Sequence, residues 1–288
     1  MPELPEVEVV KKSLKDNICN LSFSKVIINT NKLRYTINKN LNDAIKNKKI
    51  LSVERRSKYI LINLDKNLTL LIHLGMTGKF FIIDKKKQKQ KTSFYYEITK
   101  KDEKHNHIIF ILNDKTKLIY NDVRKFGFIK IVSTGEIKNN IHIKSLGPEP
   151  LSNKFNFKYF KKYICNKNKN LKNILMDQKF IAGLGNIYVN EILFMSGLNP
   201  KKSIKNINRL EIKKIIISTK KILKKSILEG GSSIKNFSNS DGKIGAFQQL
   251  FKVYGREGEK CIKNNCVSLV KKINISNRST FYCKSCQK

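Results

Sequence analysis

The chain opens "MPELPEVE" and closes on a cluster of cysteines, and both stretches hold residue types that can do chemistry. Removal of the initiator Met, usual before a small residue, is expected to leave Pro2 first. Its nitrogen is then a secondary amine. A terminal amine titrates near ~7.7–8.0, against ~10.4 for lysine, so a fair fraction is unprotonated and nucleophilic at neutral pH. Attack of such an amine on a sugar C1′ gives an iminium directly. Glu3 sits beside that nitrogen and can move protons. Glu6 lies one helical turn on, positioned to hydrogen-bond the terminus. The same residues also fit a proline-started helix whose acids suit the helix dipole. The residues alone leave both readings open.

Cys261, Cys266, Cys283 and Cys286 form two close pairs separated by sixteen residues. Four thiolates match a closed tetrahedral zinc site, which has no open position for water and is therefore structural. It would hold a hairpin too small to fold alone. The first pair has four intervening residues where two are usual, which lengthens its knuckle. Cys19 and Cys165 lie far away and read as ordinary buried thiols.

The 288 residues carry 59 Lys+Arg against 22 Asp+Glu, a net charge of +37. That excess suits a polyanionic partner. The abundance of Lys, Asn and Ile, with few Arg, is also what an AT-rich genome produces. No apolar run is long enough to span a bilayer, and acids stand where a signal peptide needs a basic flank. The expected setting is the cytosol, with reduced cysteines.

Positioning these groups requires several elements. Leu4, Val7, Val10, Leu14 and Ile18 have helical spacing. Then "SKVIINT", "ILSVERRSKYILINL", "LTLLIHLG", "GKFFII", "SFYYEIT", "HIIFIL", "KLIYND" and "GFIKIV" read as strands of an antiparallel sandwich or barrel. Asp84–Ser93 reads as a solvated polar loop between strands. After "SLGPEPLS" the spacing turns helical, with "FNFKYFKKYIC", "LKNILMDQK", "NIYVNEILFMSG" and a long amphipathic helix stopped by Gly230 and Gly231. The boundary between a β half and an α half therefore falls near Gly147.

Gly183 and Gly185 stand directly before a helix opened by a capping-type Asn186. A dinucleotide fingerprint needs a third glycine and a preceding strand, and neither is there. Free N–H groups at that helix start can seat a phosphate. On spacing alone, a plain helix–turn–helix joint explains the glycines as well.

Together "MPELPEVE", "RRSKYILI", "HLGMTGKF", "KHNH", "DVRKFG", "LGPEP", "LMDQKFIAGLGNIYVNEIL", "SDGKIGAF", "VYGREGEKC" and "NRSTFYCKSCQ" resemble the bacterial formamidopyrimidine-DNA glycosylases, in the family order and over nearly the whole chain. The resemblance implies an α+β multidomain fold. Residues 1–147 would form a catalytic two-sheet antiparallel β-sandwich with an N-terminal helix. Residues 148–251 would form a helix–two-turn–helix DNA-binding domain with a lesion-capping loop, and 252–288 a zinc-finger β-hairpin holding one structural Zn2+. DNA would lie in the cleft between them.

The resemblance also implies removal of oxidised purines (8-oxoguanine, formamidopyrimidines) from duplex DNA by a monomer, with strand cleavage by β,δ-elimination. Pro2 resembles the Schiff-base nucleophile and Glu3 its acid partner. Lys58 resembles the proton donor of β-elimination. Arg278 matches the residue assigned to δ-elimination, although a guanidinium, with a pKa above ~12, serves more readily as a phosphate clamp. His105, Arg124 and Lys167 match phosphate contacts, and His73, Lys172 and Asn186 further backbone contacts, so the glycine turn becomes a phosphate seat. Met76, Arg124 and Phe126 match the trio that fills the gap left by an extruded nucleotide, and Ser240–Phe247 the lesion-capping loop. Two alternatives stand beside this one: an endonuclease VIII-like glycosylase for oxidised pyrimidines, and a non-catalytic zinc-ribbon DNA-binding protein.

Overall fold

The structure, a computed structural model, describes residues 2–84, 89–91, 100–232 and 249–288, with side chains described outside 85–102. The chain divides into two compact units, Met1–Lys144 with Gly230–Ala246, and Ser145–Glu229 with Phe247–Lys288. The four-cysteine segment thus belongs to the same unit as the helices between residues 157 and 228.

The first unit opens with helix α1 (Leu4–Ile18). Strand β1 (Phe23–Ile28) and the short helix α2 (Leu41–Ile45) follow. The other strands are β2 (Ile50–Arg56), β3 (Tyr59–Leu64), β4 (Leu68–His73), β5 (Lys79–Ile83), β6 (Lys89–Lys91), β7 (Asn106–Leu112), β8 (Lys117–Asn121) and β9 (Phe128–Ser133). They form two antiparallel sheets, ordered β1-β7-β8-β5-β6 and β2-β3-β4-β9. One apolar core joins them: Phe23, Phe80, Phe110 and Tyr120 from the first sheet, Ile60, Ile62, Leu70 and Ile72 from the second, and Val7, Val10, Leu14 and Ile18 from α1. Burial of that stripe is what fixes α1, at roughly 25 cal/mol per Å² of apolar surface removed from water. α1 lies on β2 and β3.

Two expectations change here, and a third is left untested. "ILSVERRSKYILINL" is a hairpin of two strands, because Ser57 takes a left-handed φ of 57° and reverses the chain. Lys89–Lys91, inside the polar segment, is an edge strand paired to β5. The expected strand "SFYYEIT" lies outside the described residues.

The second unit holds α3 (Phe157–Ile164), α4 (Leu171–Met176), α5 (Asn186–Ser196) and α6 (Arg209–Leu228), then the hairpin β10 (Val270–Ile275) and β11 (Arg278–Cys283). α5 is buried on nearly every side, since α4, α6 and β11 all pack on it. Its left-handed cap at Gly197, φ 72°, ends it. α6 starts on a capping box of Asn208 and Glu211. Among the described residues no helix is long and apolar enough to cross a membrane. Cys165, expected to be buried, is exposed at the end of α3.

Candidate active site

Pro2 is buried at the mouth of α1, and Glu3 is the residue that caps this helix, 3% exposed. The Glu3 N–H donates to Glu6 Oε2 at 2.9 Å, closing a capping box with glutamate where serine or threonine is commoner. Glu6 therefore does reach the terminus, through the backbone of Glu3. Its other oxygen, Oε1, accepts from Ser232 N–H and Ser232 Oγ, both at 2.8 Å. One buried carboxylate thus ties the start of the chain to Ser232, more than two hundred residues later. Gly231, φ 84°, lies against Glu6, where a Cβ would approach Oε1 to 3.2 Å. Ser232 was not foreseen from sequence, since only the fold brings it near. Ser240–Phe247, the expected capping loop, lies outside the described residues.

Lys58 sits in the two-residue turn between β2 and β3, 8% exposed. His73, at the end of β4, has its pKa lowered to about 4 by burial, and further by the charges of Lys58, Arg34 and His142. His73 is therefore neutral at pH 7. Its Nδ1 accepts from the Gly75 N–H at 3.0 Å, which leaves the ring proton on Nε2. The ring stacks on Phe128 and tilts against Tyr59. This makes His73 an oriented neutral donor.

Met76 and Phe126 are 37% and 45% exposed, large apolar side chains left facing solvent by two adjoining loops. Arg124 is exposed and lies over the Phe126 ring at 4.6 Å, a cation–π contact that holds the pair together. The loops meet backbone to backbone, since a Cβ on Gly75 would collide with Phe126 and Gly127.

Asp122, fully buried, fastens them. Its Oδ1 accepts from Thr77 Oγ1 at 2.5 Å and from Arg124 N–H at 3.3 Å. Its Oδ2 accepts from Gly127 N–H at 2.8 Å and Tyr120 OH at 3.3 Å. His107 Nε2 meets the Asp122 carbonyl at 2.9 Å, while His105, half-buried, presents its carbonyl to the Asp122 N–H at 3.1 Å. Asp122 escaped the sequence reading because its partners lie on two separate loops. Asp122→Ala removes the acceptor of two buried donors, Gly127 N–H and Tyr120 OH, and of the half-buried Thr77 Oγ1, at roughly 1–3 kcal/mol for each buried one. The expected loss is about 3 kcal/mol, seen by calorimetry as a melting point lower by roughly 6–12 °C. An unchanged melting point would show that the loops are held otherwise.

In the second unit, Arg278 opens β11 directly after the Ser276–Asn277 turn, whose two positive φ values (49° and 59°) fit a tight hairpin. Arg278 is exposed. Lys172, on α4, is 1% exposed and donates to Thr280 Oγ1 at 2.6 Å and the Ser279 carbonyl at 3.2 Å. Its pKa is lowered to about 8 by burial and by the Arg278 charge. Asn186 is the first residue inside α5, and the cap is Gly185. Its Nδ2 donates to the Ser279 carbonyl at 2.9 Å. Asn190 Oδ1 accepts from Phe281 N–H at 2.7 Å. So α4 and α5 grip the hairpin strand that presents Arg278. Lys167 is exposed after α3, with its ammonium 5.4 Å from the centre of the Tyr163 ring.

Cys261, Cys266, Cys283 and Cys286 come together with all four Sγ atoms within 4.8 Å of one another. The closest approaches are 3.8 Å for Cys261–Cys286 and 3.7 Å for Cys266–Cys283. A tetrahedral ion with sulfur at ~2.3 Å requires an S···S separation of about 3.8 Å. The four cysteines can hold one metal ion, and the longer first knuckle does not prevent it.

These features have counterparts among known proteins. A family model described as the formamidopyrimidine-DNA glycosylase N-terminal domain matches residues 1–129. Another, for the formamidopyrimidine-DNA glycosylase H2TH domain, matches residues 146–238. The formamidopyrimidine-DNA glycosylase of Rickettsia bellii (strain OSU 85-389) is 41% identical over 288 residues, covering 100% of both chains. That of Wolbachia pipientis subsp. Culex pipiens (strain wPip) is 38% identical, again over 100% of both. A crystal structure of a Lactococcus lactis FPG mutant with Fapy-dG-containing DNA superposes with a TM-score of 0.85 at 32% identity, covering 100% of both chains. A complex of Lactococcus lactis Fpg with abasic-site DNA gives 0.84 at 31% identity, covering 99% of both. With this similarity running the full length of the sequence, the chain belongs to the formamidopyrimidine-DNA glycosylase family, the DNA glycosylase/AP lyases of base-excision repair.

Proposed function

We propose that this DNA glycosylase/AP lyase removes oxidised purines from duplex DNA with Pro2 as nucleophile and then cuts the strand on both sides of the abasic site. The observation that carries the reading is the buried Glu3–Glu6 pair beside Pro2. It gives the terminus a rigid mount and an acid next to the nucleophilic nitrogen. The DNA-bound relatives, with Fapy-dG and abasic sites, support the substrate class. The enzyme would act in the bacterial cytoplasm.

A base inside a duplex is out of reach, so it must be extruded at a cost of a few kcal/mol (roughly). Met76, Arg124 and Phe126 fill the gap. The Pro2 lone pair attacks C1′, and the glycosidic bond breaks with its electrons leaving on the base, which takes up a proton. Displacement leaves C1′ bonded to both the Pro2 nitrogen and O4′; the nitrogen gives up its proton, and Glu3 protonates O4′ as the C1′–O4′ bond opens, so that the nitrogen lone pair forms the C1′=N iminium. The resulting iminium acidifies the C2′ hydrogen. Its loss expels the 3′ phosphate, with Lys58 supplying the proton, and a second elimination expels the 5′ phosphate. Arg278 clamps a backbone phosphate, as a charge-assisted fork does well. His73, neutral, donates Nε2–H to another phosphate, and His105 and Lys167 add contacts. Lys172 and Asn186 act by holding the strand that carries Arg278 (their amino groups are already engaged there).

Residues 1–147 thus carry the chemistry, while 148–251 and 252–288 grip the duplex. Zinc suits the four cysteines. It supplies folding energy to the hairpin and takes no part in a chemical step.

Excision assays test the substrate class. Release of 8-oxoguanine opposite C should far outpace release of thymine glycol, and the reverse order would overturn the claim. Salt titration tests the contacts. Three cationic phosphate contacts, Arg124, Lys167 and Arg278, predict a slope of log K against log salt of about −3, reduced by about 1 in Arg278→Ala. A much steeper slope would mean that the surplus lysines also bind DNA.

A further inference from the structure

Glu8 has no part in the chemistry above, yet its carboxylate is firmly held. Its Oε2 accepts from Arg55 Nε at 2.6 Å and its Oε1 from Lys11 Nζ at 2.7 Å, with the Glu8 and Arg55 side chains only 15% and 9% exposed. Burial alone would raise the Glu8 pKa. The hydrogen bonds and charges of Lys11 and Arg55 outweigh burial and bring it below the usual value, so Glu8 is ionised at neutral pH. Arg55 has a second engagement: its Nη1 donates to the Ser57 carbonyl at 2.9 Å. Ser57 is the left-handed residue of the β2–β3 turn, 1% exposed, and Lys58 follows it directly. A non-glycine residue in that region persists only where its surroundings over-determine it. The guanidinium fork supplies that constraint, because it spans from α1 to the turn backbone in one rigid plane. Glu8 belongs to the helix whose first turn presents Pro2 and Glu3.

We propose that Glu8 and Arg55 form a strut that sets the Lys58 turn against the helix bearing the nucleophile, making them positioning residues for the elimination step. The proposal rests on the reading of Pro2 and Lys58 given above. Positioning errors of about 1 Å can cost on the order of 100-fold in rate, so loss of the strut should appear in cleavage of a preformed abasic site, where Lys58 acts.

The test is a double-mutant cycle on duplex DNA with a preformed abasic site, read as single-turnover cleavage in the wild type, Arg55→Ala, Lys58→Ala and the double variant. Glu8→Gln serves as a milder second probe, and melting curves check that each variant is folded. Arg55→Ala and Glu8→Gln should slow cleavage about 10-fold or more in the wild type. Each should change it less than about 2-fold once Lys58 is already gone. Arg55→Lys, with no fork to reach both partners, should recover only part of the rate. Equal slowing in both backgrounds, or no slowing in a folded variant, would overturn the strut alone. A Lys58→Ala enzyme as fast as the wild type would overturn the Lys58 reading and the strut with it.

Discussion

Glu3→Gln is expected to slow single-turnover release of 8-oxoguanine by about 10²–10⁴-fold, the usual worth of a positioned general acid–base. The variant keeps the size of the side chain and the backbone N–H that donates to Glu6 Oε2. The mount therefore survives and only the exchangeable proton is altered. Pro2→Gly should cut excision at least as deeply. A glycine terminus offers a primary amine on a freer backbone, so both the ready route to an iminium and the fixed direction of the lone pair are lost. Both variants should melt close to the wild type, because neither is part of the apolar core around Val7, Val10 and Phe23. Excision by either variant within a few-fold of the wild type would remove the terminus from the mechanism.

Cys283→Ser carries the second large effect. Cys283 ends β11, is fully buried, and its N–H donates to Gln287 Oε1. Among the described residues the buried apolar cluster around it is small, Phe194, Val253, Val270 and Phe281 with Cys261, and Tyr254 packs against it partly buried. That core leaves much of the hairpin's outer half lightly supported, so a metal held by the four cysteines would add folding energy there. Losing a direct ligand should cost at least the roughly 10–100-fold in metal affinity that an outer-shell change costs. Arg278 stands at the other end of the same strand, so the phosphate contact proposed for it should weaken too. Loss of one charge-assisted hydrogen bond, about 1.5–3 kcal/mol, predicts DNA affinity weaker by at least about 10-fold. Metal content by atomic absorption and affinity by titration should fall together. Full metal content would refute the site, and full affinity without metal would refute its role.

Much of this was legible in the residues because it is local. Alternating apolar runs marked the strands, the stripe from Leu4 to Ile18 marked α1, and two cysteine pairs marked the cluster. The turn at Ser57 and Lys58 was not legible: it has no glycine, proline or Asn-Gly signal, so one long strand was expected where a hairpin stands. Asn186 looked like a cap, yet Gly185 takes that place and frees the Asn186 amide for Ser279. The networks around Asp122, Glu6 and Glu8 join residues distant in sequence or on separate loops, such as Glu8 with Arg55 and Glu6 with Ser232. No periodicity reports such pairs, because they exist only once the core has folded.

The central claim, that the chain's own terminus forms the bond to the sugar, is tested most directly by mapping the covalent adduct. Enzyme and an 8-oxoguanine duplex are reduced with borohydride, digested, and the peptides weighed. The account predicts the sugar adduct on the N-terminal peptide, which begins at Pro2 with its nitrogen alkylated. An adduct on the Lys58 peptide, or none at all, would contradict it.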